Sequence, residues 1–284
     1  MSVERPPEHV LAAFGLNGVT PTALGAGWEG GWRCGEVVLS LVADHARAAW
    51  SAKVRETLFV DGVRLARPVR STDGRYVVAG WRGDTFVSGT PEPRHDEVVS
   101  SAVRLHEATA KLERPRFLTQ PPSVPWSDVD VFVAVDRAAW EDRPLHGLPP
   151  GARVGPGGSD GQRSVELIAQ LAALRRPTRS PSQLVHGDLY GTVLFAGTAA
   201  PGITDITPYW RPASWAAGVV VVDALAWGEA DDGLVERWAP LPEWPQMLLR
   251  ALMFRLAVHA LHPRSTAAAF PGLARTAALV RLIL

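Results

Sequence analysis

The chain has 284 residues, of which 46% are apolar and 20% are charged, so it can bury a sizeable core and is not a disordered polymer. Its formal net charge is zero, which argues against a general affinity for nucleic acid or for an anionic membrane. The single cysteine, Cys34, excludes an internal disulfide and a zinc site built from several cysteines. The first ten residues include the charged Glu4, Arg5 and Glu8 and lack the apolar core of a secretory signal, which predicts a soluble, cytoplasmic protein.

The first part of the chain, residues 1–90, reads as short strands around one helix. Runs rich in Val and Leu predict strands over residues 36–42 and 75–81. Between them, residues 44–59 have helical composition. The helix is followed by a hairpin-like region and not by regular βα repeats, so the pattern does not predict a doubly wound sheet.

The second part, residues 91–284, is mainly helical. A Pro- and Gly-rich loop is predicted over residues 144–161, and a strand–loop–strand segment over residues 184–208. Helices are predicted over residues 96–112, 163–176, 213–227, 245–261 and 267–284. A small β-rich lobe followed by a larger helical lobe is an α+β arrangement of the two-lobed protein kinase type.

One segment carries a specific motif. Residues 184–197 read LVHGDLYGTVLFAG, and an apolar strand then leads to Asp205 in the run PGITDITPYW. The order His-Gly-Asp-Leu, turn, strand, turn, apolar-x-Asp resembles the catalytic segment of the aminoglycoside phosphotransferase and choline kinase superfamily. The chain also resembles that superfamily in the run LGAG, residues 24–27, between the first two strands, and in the run LHE, residues 105–107.

This resemblance implies a phosphotransferase that uses ATP and Mg²⁺ on a small-molecule substrate in a cleft between the lobes. Asp188 would orient the acceptor hydroxyl and take its proton, and Asp205 would hold magnesium, because hard cations prefer carboxylate oxygen. The turn with Gly25 and Gly27 would contact the nucleotide. His186 would fix the loop by hydrogen bonds.

Three positions depart from the superfamily's pattern. The loop asparagine that should follow Asp188 is replaced by Val193 on strict counting, or by Thr192 if one residue is deleted; Thr192 could offer a hydroxyl oxygen to magnesium. The strand lysine that grips the phosphates is replaced by Ser40. The helix glutamate that pairs with this lysine falls on Lys53 or on Glu56, because the register of the helix is open.

Two interpretations of Lys53 follow. It is one of only two lysines in the chain, and it either reaches in as a relocated phosphate contact or is a solvated helix charge. The second interpretation is favoured, and with it a degenerate phosphotransferase that has weak or no kinase activity and a cleft repurposed for another ligand.

The alternatives are an active kinase that uses Lys53 and Thr192 as substitute contacts, a non-catalytic protein partner in a biosynthetic complex, and non-phosphoryl chemistry at Asp188.

Overall fold

The computed structural model describes residues 4–28, 30–119, 128–141 and 159–284. The elements up to residue 118 are, in chain order, α1 (Glu8–Ala13), β1 (Thr22–Ala23), a 3₁₀ turn (Ala26–Trp28), β2 (Trp32–Cys34), β3 (Val37–Leu41), α2 (His45–Thr57), β4 (Arg64–Leu65), β5 (Pro68–Val69), β6 (Val77–Val78), β7 (Trp81–Thr85), α3 (His95–Thr109) and a second 3₁₀ turn (Arg116–Leu118). The later elements are α4 (Asp128–Trp140), α5 (Ser159–Ala172), β8 (Gln183–His186), β9 (Gly202–Ile203), β10 (Pro208–Arg211), α6 (Ala213–Trp227), α7 (Leu234–Arg237), α8 (Trp244–Leu261), a 3₁₀ turn (Ala267–Ala269) and α9 (Phe270–Leu282).

The described residues form two compact units. Unit 1 combines the chain before Leu118 with Leu184–Tyr209, and unit 2 is made from the described parts of Leu118–Gln183 and Trp210–Leu284. The predicted lobes, 1–90 and 91–284, are divided by type of secondary structure, whereas the units are divided by which residues lie close to one another. The lobe boundary at residue 90 therefore stays a prediction.

Unit 1 contains an antiparallel sheet in the strand order β1–β2–β3–β7–β5, and β6 also pairs with β7. The register of β3 and β7 places Ser40 opposite Arg82. A separate parallel pair joins β4 to β9, with Arg64 opposite Gly202 and Leu65 opposite Ile203. This pairing attaches the strand that precedes Asp205 to the front part of the chain.

A tight turn divides the strand that was predicted over residues 75–81. Ala79 and Gly80 both have positive φ angles, of 47° and 80°, and they connect β6 to β7. Glycine favours this backbone region, and two successive residues in it are typical of hairpin turns. The prediction of one continuous strand was therefore wrong, and the central strand β7 begins only at Trp81.

The helix predicted over residues 44–59 is observed as α2. The carboxylate of Asp44 accepts hydrogen bonds from the N–H groups of Ala46 and Arg47, at 2.8 and 3.1 Å, and so caps its first turn. The later helices lie within a few residues of their predicted positions, and α6 spans the predicted residues 213–227. Of the predicted loop 144–161, residues 144–158 lie outside the described residues, and residues 159–161 belong to α5.

Unit 2 is built around α8, which packs against α4, α5, α6 and α9. The buried carboxylate of Asp223 on α6 accepts two hydrogen bonds from Arg255 on α8, at 2.7 and 2.5 Å. Among the described helices, none is both long enough and apolar enough to cross a membrane.

Candidate functional site

The His-Gly-Asp loop follows β8 and is held by backbone and histidine hydrogen bonds. The N–H of His186 donates to Nε2 of His106 at 3.0 Å, and the N–H of Asp188 donates to Nδ1 of His186 at 3.1 Å. Only glycine fits between these two residues, because a Cβ at Gly187 would lie 2.4 Å from the ring of Tyr209. These contacts fix the backbone that carries the partly exposed Asp188.

Both histidines are buried and neutral near pH 7. Burial lowers the pKa of His106 to about 3, with a further contribution from His186. Burial also lowers the pKa of His186 to about 4, although the carboxylates of Asp188 and Asp205 oppose this shift. A neutral imidazole that accepts a backbone hydrogen bond fits the loop-positioning role predicted for His186.

Thr192 closes the turn that follows Asp188. Its hydroxyl lies 3.0 Å from the carbonyl oxygens of both Asp188 and Leu189 and donates to them. Val193, the other candidate for the missing asparagine, is 1% exposed and belongs to the apolar core. The geometry therefore gives Thr192 a backbone contact, and its role as a metal ligand stays a prediction.

Asp205 lies two residues after β9, and its carboxylate is hydrogen-bonded on both oxygens. Oδ1 accepts a hydrogen bond of 2.6 Å from the hydroxyl of Ser51 and lies 3.5 Å from Nε of Arg55. Oδ2 accepts a hydrogen bond from Nη1 of Arg82. Each oxygen of the predicted magnesium ligand thus has a donor from the chain itself.

A second carboxylate, Asp84, extends these contacts into a network. Arg55 is fully buried, and its Nη1 donates to Oδ1 of Asp84 and to the carbonyl oxygen of Ala66, both at 2.7 Å. Nε of Arg82 lies 3.3 Å from Oδ2 of Asp84. We call Arg55, Arg82, Asp84 and Asp205 the arginine–aspartate network; it contains two guanidinium groups and two carboxylates.

The charge state of the network follows from its contacts. Burial would raise the pKa of Asp205, but the guanidinium groups of Arg82 and Arg55 outweigh burial and hold that pKa well below its usual range. At Asp84 burial is the larger effect and raises the pKa of the carboxyl, against the opposing influence of Arg55 and Arg82. Asp205 is therefore firmly ionised, with its charge compensated by arginine.

The periodicity of β7 and of α2 places the network residues of each element on one face. Arg82 and Asp84 stand two residues apart on β7 and point to the same face of the sheet, and Ser51 and Arg55 stand four residues apart on one face of α2. Ser40 is buried and pairs with Arg82 across the strands. An arginine on the strand next to Ser40 therefore contacts Asp205.

Lys53 and Glu56 do not lie at Asp205. Lys53 is exposed and forms no ion pair with any residue that the structure describes. Glu56 is also exposed, and it binds Arg70 through two hydrogen bonds of 2.9 and 3.0 Å and accepts one from Tyr76. Arg55, which lies between them in the sequence, contacts Asp205 from α2 instead, and which helix residue corresponds to the superfamily's glutamate stays a prediction.

The glycine turn before β2 packs into the core of unit 1. Gly25 is exposed with open space around it, whereas a Cβ at Gly27 would lie 2.3 Å from the side chain of Leu194. The hydroxyl of Thr204 donates to the carbonyl oxygen of Gly27 at 3.3 Å. The next residue, Trp28, is buried in an apolar group with Leu194 and three others, which we call the Trp28 cluster: Trp28, Val38, Ala66, Val87 and Leu194.

The surroundings of Asp205 oppose a magnesium ion. Each carboxylate oxygen of Asp205 already accepts a hydrogen bond from a hydroxyl or guanidinium donor, and a hard divalent cation would have to compete with these donors. Two positive groups beside the carboxylate would also repel a cation. Within the described ranges, no set of three or more His, Cys, Asp or Glu side chains is placed to hold a metal.

Comparison with known proteins now defines the fold. No family model matches the sequence, and no curated protein matches it. Among solved structures, a microcompartment-associated aminopropanol kinase is similar over 96% of this chain and 94% of its own, with a TM-score of 0.59 and 17% identity.

Two aminoglycoside-type enzymes are similar in the same way. The aminoglycoside phosphotransferase of Alicyclobacillus acidocaldarius covers 99% of this chain and 95% of its own, at 13% identity and a TM-score of 0.55. A spectinomycin phosphotransferase in complex with AMP covers 96% of both chains, at 11% identity and a TM-score of 0.56. The chain therefore has the two-lobed, kinase-like fold of the aminoglycoside phosphotransferases, and the predicted fold is confirmed.

Proposed function

We propose that this protein is a pseudokinase: it keeps the phosphotransferase fold but binds its ligand or partner without magnesium-dependent transfer of phosphate from ATP. The observation that carries this proposal is that both carboxylate oxygens of Asp205 are bonded within the chain, by Ser51 and Arg82. Asp205 is the residue that the resemblance assigns to magnesium.

The charge balance of the arginine–aspartate network supports the proposal. Its two guanidinium groups and two carboxylates balance in formal charge without a metal or a phosphate. A magnesium ion would have to displace Arg82 from Asp205 and would then stand beside two guanidinium groups that share Asp84 as the remaining carboxylate of the network. The displacement would break a partly buried ion pair, and this cost would weaken metal binding.

The packing of the glycine turn also argues against nucleotide binding. By resemblance, this turn would contact the nucleotide, yet Gly27 and Trp28 contact Leu194 in the apolar core of unit 1. A nucleotide that used these residues would have to compete with that packing.

The alternative, an active kinase, would require substitute phosphate contacts. Lys53 was the candidate for that role, and it is solvent-exposed on α2. Arg55 and Arg82 carry the positive charge at this place instead, and their charge is already matched by Asp84 and Asp205. The pseudokinase is therefore the function that the geometry supports best.

Calorimetric titration with ATP, with and without Mg²⁺, tests the proposal. We expect no magnesium-dependent binding to the wild-type protein, and no phosphate transfer to amino alcohols or aminoglycosides. The Arg82→Met variant frees Oδ2 of Asp205 and should bind Mn²⁺, used as a magnesium analogue, more tightly than the wild type does. Magnesium-dependent binding at micromolar ATP, with phosphate transfer that the Asp188→Ala variant loses, would overturn the proposal.

A further inference from the structure

In unit 2, two arginines lie over one tryptophan ring. The guanidinium carbons of Arg211 and Arg250 are each 4.9 Å from the ring centroid of Trp140. Arg175 lies close to the same place, where its Nη1 donates to the carbonyl oxygen of Glu141. Positive charge thus accumulates around an aromatic side chain at the ends of α4, α5 and β10.

The two arginines differ in how their charge is compensated. Arg211 forms a bidentate ion pair with Asp136, with hydrogen bonds of 2.7 and 2.6 Å. Arg250 is only 6% exposed, and its two hydrogen bonds go to neutral acceptors, the side-chain oxygen of Gln246 at 3.3 Å and the carbonyl oxygen of Arg176 at 3.0 Å. No carboxylate among the described residues forms an ion pair with Arg250.

Glu243, whose charge raises the pKa of Arg250, is bonded to other donors. Glu243 accepts hydrogen bonds from the N–H groups of Arg179 and Ser180 and from the hydroxyl of Ser180. Burial, followed by the charge of Arg175, lowers the pKa of Arg250 to about 10, and Glu243 opposes this only in part. Arg250 therefore remains a charged group in a place that disfavours its charge.

Two buried donors at this place have no acceptor. Nε of Arg250 and the indole N–H of Trp140 are both buried, and neither has a hydrogen-bond partner in the described structure. Buried donors are normally satisfied, and an orphaned charged donor is costly. A guanidinium and an indole N–H donate only, so what both lack is an acceptor, and an anionic acceptor would also compensate the charge of Arg250.

We propose that Arg250, Arg211 and Trp140 form a binding site for an oxyanion, the carboxylate or phosphate group of a small molecule. Guanidinium groups present paired N–H donors to such groups, and the Trp140 ring supplies an aromatic wall beside them. The site lies in the unit that holds none of the residues predicted to contact ATP or magnesium. The proposal therefore does not depend on the pseudokinase assignment.

Thermal unfolding and calorimetry with simple anions test the site. Sodium phosphate and sodium acetate are compared with sodium chloride at equal ionic strength, so that general screening is matched. We expect a saturable rise of the unfolding midpoint with phosphate, with acetate or with both, since a ligand that binds only the native state stabilises it. A response to phosphate alone assigns a tetrahedral anion, and a response to acetate alone assigns a carboxylate.

Three variants separate the site from unspecific anion effects. Arg250→Met keeps the bulk of the side chain and should abolish the response, while its unfolding midpoint without anion should equal or exceed that of the wild type, because an unmatched buried charge is gone. Trp140→Phe keeps an aromatic ring but removes the N–H, and it should weaken anion binding by roughly tenfold. Arg237→Met removes one exposed arginine of unit 2 and should leave the response intact.

Equal responses in the wild type and in Arg250→Met would overturn the proposal, as would no response to either anion. If Arg250→Met does not fold, the comparison of Trp140→Phe with Arg237→Met decides: equal affinities in these two variants refute the site.

Discussion

Replacing Arg55 by methionine is the sharpest test of the arginine–aspartate network. Arg55 is fully buried, and the change removes its 2.7 Å bond to Asp84 and its 2.7 Å bond to the carbonyl oxygen of Ala66. Methionine fills most of the space, so the main loss is electrostatic. Asp84, 1% exposed, would keep only Arg82 at 3.3 Å. Removing one partner of a buried pair costs about 3–5 kcal/mol, and we expect a loss of that order in the free energy of unfolding.

Urea unfolding followed by tryptophan fluorescence measures this loss. The double variant Arg55→Met/Asp84→Asn removes the carboxylate charge of Asp84 together with the guanidinium of Arg55, and it should recover at least half of the lost stability. Glu56→Gln is the matched control, since Glu56 is the next residue on α2 but forms an exposed pair with Arg70, and its urea midpoint should barely move. The network would be refuted as a buried ionic unit if Arg55→Met unfolded at the same urea concentration as Glu56→Gln, or if the double variant were no more stable than the single one.

Two further predictions concern unit 1. His106 and His186 have pKa values of about 3 and 4 in the folded protein, against 6.5 in the unfolded chain. As the pH falls below 6.5 the unfolded state therefore takes up protons first, and the free energy of unfolding should fall by about 1.4 kcal/mol per pH unit for each histidine. His106→Gln should halve that slope in urea titrations from pH 7 to pH 4.5, and an unchanged slope would contradict the assignment. Gly27→Ala places a methyl group 2.3 Å from the side chain of Leu194 and should lower the stability measured by thermal unfolding by about 1–3 kcal/mol. Gly25→Ala meets open space and should leave the stability unchanged. Equal effects of the two variants would show that the turn is not packed as described.

The His-Gly-Asp loop and the position of Asp205 could be predicted because their signal is local. A short run of residues specifies a strand, a turn and the aspartate that follows, and α6 could be predicted because all of its fifteen residues except Ser214 and Asp223 are apolar. The fold followed from the order of these elements. None of this required knowledge of how distant side chains meet.

The arginine–aspartate network could not be predicted because its members are far apart in the sequence. Its members come from α2, from β7 and from the segment after β9, and arginines are so frequent in this sequence that Arg55 and Arg82 did not stand out. Lys53 was the expected substitute for the strand lysine, whereas the basic side chain that contacts Asp205 from the sheet is Arg82 on the adjacent strand. The usable signal was the alternation of Arg82 and Asp84 within the run WRGDT, which places both side chains on one face of a strand.

The parallel pairing of β4 with β9 has a consequence for the order of events during synthesis. Leu184–Tyr209 completes unit 1, yet the ribosome must first make residues 118–183, whose described parts belong to the other unit. Until then β4 lacks its partner strand, Arg64 lacks the carbonyl oxygen of Ala200, and Leu194 is missing from beside Trp28. Because the ribosome adds only about 5–20 residues per second, the nascent front part of the chain carries an unfinished edge and exposed apolar surface for several seconds. This interval is when we expect the protein to depend most on chaperones.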